Sequence, residues 1–146
     1  MTFHAQLARS WAASGSMLCV GLDPDPARMP GPLAGERDST ERFCREIIDA
    51  TAEFACAFKP QIAYFASQGE EAALERICTH VREQHPDATL ILDAKRGDIG
   101  SSAELYAQAA LTPQAPFGCD ALTVSPYLGE DSLAPFFAAC AAHQRG

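Results

Sequence analysis

The stretch Leu90-Ile91-Leu92-Asp93-Ala94-Lys95-Arg96-Gly97-Asp98-Ile99 decides how this chain is read. Three aliphatic residues run directly into an aspartate, a lysine and a second aspartate. An apolar run ending in charge reads as a buried strand that delivers ionisable groups at its C-terminal end. Side chains two apart on a strand share a face. Asp93 and Lys95 are therefore expected together, and Asp98 follows the glycine that breaks the strand. A carboxylate, an ammonium and a second carboxylate crowded into one place suit proton transfer with tuned acidities.

Three more short apolar runs, at residues 17–22, 54–58 and 121–124, end in Asp23, Lys59 and Ser125. From Asp23 to Lys59 is 36 residues, from Lys59 to Asp93 is 34, and from Asp93 to Ser125 is 32. Such spacing accommodates one strand and one crossover helix. Helical patterns fill the gaps. Asp38-Ser39-Thr40-Glu41 reads as a capping box leading into Phe43, Ile47 and Ala50. Leu74, Ile77 and Val81 continue after Gly69 and stop before His85-Pro86. A third helix is expected from about Ser101, through Leu105 and Ala109. A fourth follows Gly129 with Leu133, Phe136, Phe137 and Cys140. Phe3, Leu7 and Trp11 suggest a short leading helix over one end, and residues 24–37 read as an irregular loop.

Strand–helix alternation predicts an α/β fold with a parallel sheet and helices outside. Each strand ends in a polar residue, and ligands bind beyond the carboxyl ends of such strands. Four successive strand ends aimed at one place fit a (β/α)8 TIM barrel better than an open doubly wound sheet. No Gly-rich dinucleotide or Walker loop follows any strand. A complete barrel takes about 250 residues, so residues 1–146 are expected to be a half-barrel domain of four βα units. Either the chain is a truncated product or two halves associate.

Composition excludes several classes. Hydrophobic content is 47% and charged content 21%, which are globular values. Eleven Lys and Arg against nineteen Asp and Glu give a net charge of −8, which disfavours nucleic acid or an anionic membrane as partner. The six cysteines form no C-x-x-C pair and no zinc spacing. They are expected as reduced core residues of a cytoplasmic protein. The four histidines have no carboxylate or cysteine partner nearby in sequence and are expected on the surface. Neither a signal peptide nor an apolar run of about 18 residues is visible.

The Asp93-x-Lys95-x-x-Asp98 signature resembles orotidine 5′-phosphate decarboxylase, most closely the longer bacterial branch of that family. Val20-Gly21-Leu22-Asp23-Pro24, Phe58-Lys59-Pro60-Gln61 and Thr123-Val124-Ser125-Pro126-Tyr127-Leu128-Gly129 match the same branch in the same order. The resemblance implies a reaction without metal or other cofactor, in which orotidine 5′-phosphate loses CO₂ to give UMP in pyrimidine synthesis. It implies Lys95 as proton donor to C6, Asp93 beside the departing carboxylate, and Lys59 between the carboxylates and near the ribose. Asp98 would complete the charged set while reaching a neighbouring subunit, so a homodimer is implied. Asp23 and Ser102 would meet ribose, and Ser125 the pyrimidine edge. The phosphate-binding segment of the family lies in its later strands, so this chain alone is expected to have little activity.

Three other readings stay open at this point, one of them a Schiff-base aldolase using Lys59 or Lys95, against which the flanking carboxylates should keep Lys95 protonated. Keto-sugar-phosphate decarboxylases and aldolases of the same barrel also carry D-x-K-x-x-D, but use Mg²⁺ and place a carboxylate where Lys59 stands. A non-catalytic half-barrel remnant is the alternative from another class.

Overall fold

The structure, a computed structural model, describes all 146 residues. Strands β1 (Leu18–Leu22), β2 (Ala55–Pro60), β3 (Thr89–Arg96) and β4 (Ala121–Val124) form one parallel sheet in the order β1-β2-β3-β4. A doubly wound sheet reverses its strand order at a switch point. This one never does: each strand adds beside the last in chain order, as in a barrel wall, and parallel pairing puts all four carboxyl ends at one edge.

Helices α1 (Phe3–Ser14), α2 (Ser39–Thr51), α3 (Ile62–Ala66), α4 (Glu71–Gln84), α5 (Gly100–Leu111) and α6 (Glu130–His143) accompany the sheet. α2 buries Thr40, Cys44 and Ile48, and α4 buries Leu74, Ile77, Cys78 and Val81. Residues four apart stack on one helix face, and here that face meets the sheet. α5 buries Ala103, Ala107 and Ala110, small residues that let its axis lie close. Phe58, Leu90 and Leu92 from the strands and Phe65 and Phe136 from the helices complete one continuous core.

Several expectations are corrected. β2 starts at Ala55 and runs through Lys59 to Pro60, while Phe54 is exposed. β3 extends to Arg96, so Asp93 and Lys95 belong to the strand. α3 was not expected; it fills the connection between β2 and α4, where Gln61 caps it by accepting from the Ala63 amide. The capping box at Asp38 does not form. Asp38 is left-handed (φ 62°) and its side chain caps nothing. Glu41 is instead held by Arg45 at 2.8 Å and Arg76 at 2.6 Å. Residues 24–37 contain two single 3₁₀ turns, Pro26–Arg28 and Gly31–Leu33.

α1 covers the N-terminal end of the strands, where Ser10 and Thr89 share a buried hydroxyl–hydroxyl bond of 2.8 Å. All six cysteines are free; Cys44, Cys56, Cys78 and Cys119 are buried, whereas Cys19 is exposed and departs from the core expectation. Burial pushes the thiols of Cys44, Cys78 and Cys119 up to about 12, which leaves them protonated and unreactive. No helix is long and apolar enough to cross a membrane.

Candidate active site

Register brings the charges together. Gln61 at the end of β2 bridges to Asp93 on β3, and Leu92 on β3 lies opposite Leu122 on β4. Asp93 therefore sits between Lys59 on one neighbouring strand and Thr123 on the other. Its carboxylate accepts four hydrogen bonds, two on each oxygen. Lys95 Nζ (2.7 Å) and the Thr123 hydroxyl (2.8 Å) donate to Oδ1. Lys59 Nζ (2.9 Å) and Gln61 Nε2 (3.0 Å) donate to Oδ2. The carboxylate offers about four lone-pair positions, and all are used.

Asp93 is buried, with its side chain only 9% exposed. Burial alone would raise its pKa, but the bonds from Lys95, Lys59 and Thr123 outweigh it and hold the carboxyl at about 2. The pKa of Lys59 is raised in turn by the bond it donates to Asp93, and the Asp23 carboxylate adds to that. The site is an anion clamped between two cations.

Stability should follow this carboxylate. A carboxyl at 3.8 when unfolded and about 2 when folded contributes about 2 kcal/mol. The contribution is complete above pH 4 and is lost as pH falls through 2. Urea unfolding at pH 6, 4 and 2.5 measures it, and a free energy flat across that window would contradict the clamp.

The other predicted site residues make no bond to Asp93, whose partners are Lys59, Gln61, Lys95 and Thr123. Asp98 is half-buried, and its carboxylate accepts from the Ile99 amide at 2.8 Å, not from either lysine. Ser102 is exposed in the first turn of α5. Asp23 is exposed at the end of β1 and borders a cavity of about 350 Å³ shared with Asp25, Arg28, Met29, Phe43 and Tyr64. Ser125 donates its amide to the Arg96 carbonyl at 2.6 Å, beside Gly97. A Cβ on Gly97 would stand 3.0 Å from the Ser125 carbonyl oxygen, so only glycine lets the two loops meet without displacement. Arg96 lies over the Tyr106 ring at 4.7 Å.

Gln61 and Thr123 are the site residues to which the sequence reading assigned no role. Both were legible in principle: Gln61 is two residues beyond Lys59, and Thr123 two before Ser125, so strand alternation puts each pair on one face.

A second polar cluster lies at the opposite end of the sheet. His80 and His85 both bond Asp49 Oδ1, at 2.7 and 2.8 Å, so these histidines have the carboxylate partner that sequence proximity did not suggest. The trio has metal-ligand chemistry, but Arg45 approaches His80 Nδ1 at 3.2 Å. A guanidinium only donates, so Nδ1 accepts and the ring proton sits on Nε2, toward Asp49. A metal at Nε2 would require the proton on Nδ1, facing that guanidinium. The trio therefore works as a hydrogen-bonded tie between α2 and the end of α4.

Residues 16–146 match a family model described as "Orotidine 5'-phosphate decarboxylase / HUMPS family". The orotidine 5′-phosphate decarboxylase of Bordetella pertussis is 56% identical over 138 residues, covering 94% of this chain and 50% of the relative. That of Ralstonia pickettii is 54% identical with the same coverage. The crystal structure of a Streptomyces avermitilis protein superposes with a TM-score of 0.87 at 39% identity, covering 99% of this chain and 51% of that one. Leishmania donovani OMP decarboxylase superposes with a TM-score of 0.75 at 36% identity, covering 94% and 50%. The chain spans about half the length of the curated relatives it matches.

Proposed function

Because this chain belongs to the orotidine 5′-phosphate decarboxylase / HUMPS family, we propose that it forms the first half of a (β/α)8 decarboxylase barrel and carries the charged array that converts orotidine 5′-phosphate to UMP. The observation that carries this reading is the Asp93 carboxylate held between Lys59 and Lys95 at 2.9 and 2.7 Å.

Loss of CO₂ breaks the C6–carboxylate bond and leaves its electron pair on C6, where no carbonyl can delocalise it. The site must stabilise local negative charge and then supply a proton. The Lys95 ammonium does both: it faces the developing carbanion, gives its proton to C6 and is reprotonated from water. Asp93, kept ionised by its four donors, repels the substrate carboxylate, and that stress is relieved as CO₂ departs. Lys59 neutralises the other Asp93 oxygen and stands toward the ribose. Asp23 binds ribose hydroxyls, and Ser125 the pyrimidine edge. Asp98 and Ser102 lie outside the array, which supports their acting at the neighbouring site of a homodimer. Free thiols fit a cytoplasmic setting.

The magnesium-dependent decarboxylases and aldolases of the same barrel are less well supported. Lysine, threonine and glutamine donors occupy the lone-pair positions of Asp93 that a divalent cation would need, and Lys59 stands where those enzymes place a carboxylate. Turnover of orotidine 5′-phosphate that requires Mg²⁺ would favour them instead.

Residues 1–146 on their own are expected to turn over slowly. The Lys95 side chain is 62% exposed. Two unit charges 4 Å apart gain about 4 kcal/mol at an effective dielectric of 20, but only about 1 kcal/mol in water. The difference costs about two decades in rate. UMP formation by the purified chain, with and without the complementary half of the Bordetella pertussis relative, measures this. Equal rates in both would show that the exposed array is already sufficient.

A further inference from the structure

Thr123 joins the backbone of β3 to the charges it carries. Between Leu92 and Arg96 the two strands fall out of step: Leu92 pairs with Leu122 and Arg96 with Val124, so three residues of β3 stand against Thr123 alone. The surplus forms a bulge, in which Lys95 adopts a left-handed backbone with φ 48°. That conformation is disfavoured for any residue with a Cβ and persists only where its surroundings impose it.

What imposes it is a side chain. The amides of Ala94 and Lys95 both donate to Thr123 Oγ1, at 3.0 Å each. A hydroxyl has one proton and two lone pairs. With both lone pairs taken, its proton goes to Asp93 Oδ1, 2.8 Å away. The regular ladder resumes where the Ser125 amide donates to the Arg96 carbonyl.

We propose that the Thr123 hydroxyl is a positioning group of this site: it holds the bulge that brings Lys95 back onto Asp93 and keeps Oδ1 supplied with a donor. The role rests on reading Asp93 and Lys95 as the reacting array. Valine, nearly the same shape, would leave two amides and one carboxylate position unpaired. Serine would keep all three bonds.

The test uses the full 146-residue chain and reads two properties that need no turnover. Carboxyl carbon NMR follows the titration of Asp93, and amide exchange follows Ala94 and Lys95. In Thr123→Val the Asp93 midpoint should rise by half a pH unit or more, and both amides should exchange at least tenfold faster. Thr123→Ser should match the parent in both. A residue that only packs would lower the melting temperature without moving the Asp93 midpoint. Parent-like titration and exchange in folded Thr123→Val would overturn the proposal. If the valine variant does not fold, the parent and the serine variant decide. Unprotected Ala94 and Lys95 amides in the parent, or an Asp93 midpoint shifted upward in Thr123→Ser, would also overturn it. In protein complemented to activity, Thr123→Val should lower kcat while leaving KM near the parent value, and serine should restore it. Absence of decarboxylation in the complemented parent would count against the proposed function, while the two NMR measurements still judge Thr123.

Discussion

Lys95→Ala is expected to lower orotidine 5′-phosphate turnover about a thousandfold or more in the chain complemented to activity. The ammonium supplies roughly 4 kcal/mol of charge stabilisation at 4 Å and an effective dielectric of 20, equivalent to about three decades. It is also the proposed proton donor, so its two contributions disappear together. The fold should survive. Asp93 keeps its bonds from Lys59, Thr123 and Gln61, and the Lys95 side chain is mostly in solvent, where an ion pair is worth about 1 kcal/mol or less. A steady-state assay of UMP formation beside a thermal melt separates the two effects. Retention of a tenth or more of the parent rate would remove Lys95 from the chemistry.

The second large effect is on stability. Phe58→Ala should destabilise the chain by about 3–5 kcal/mol, a large share of the 5–15 kcal/mol typical of a domain. Phe58 is fully buried on a central strand, in the cluster that includes Ile48, Leu74 and Ile77. Being next to Lys59 on the strand, it points to the opposite face. Packing Phe58 into the helix layer is what commits Lys59 to the open side. A loss of less than about 1 kcal/mol in the unfolding free energy from urea titration would mean that the cavity collapses and that this contact does not orient the strand.

Much of the fold was legible because its signals are local. The four apolar runs mark β1 to β4 within one or two residues, except that β2 and β3 run further than expected. Lys59 still pairs with Gly21, and β3 pairs again at Arg96 opposite Val124, so charge marked the end of the apolar run rather than the end of pairing. α3 was missed because five residues carry too little periodicity to register against the neighbouring α4. The box at Asp38 was misread because Glu41 found stronger partners, Arg45 and Arg76, the latter from a different helix.

The site divides along the same line. Asp93, Lys95 and Lys59 could be chosen from sequence because each ends or follows an apolar run, where a charge has no place in a core. Gln61 and Thr123 could not be chosen that way, because uncharged polar residues at strand ends are common and most have no special task. Asp93 needs them because a buried carboxylate has several lone pairs to satisfy. Its partners come from β2 and β4, about thirty residues away in either direction. The amino-acid order by itself therefore determined the alternation of strand and helix, the direction of the strands and which residues bear charge. Only the packed sheet decided that β3 bulges against Thr123, that Lys95 turns left-handed and that Asp93 stays ionised. Those outcomes depend on hydrogen bonds between neighbouring strands, and such bonds exist only after the register is set.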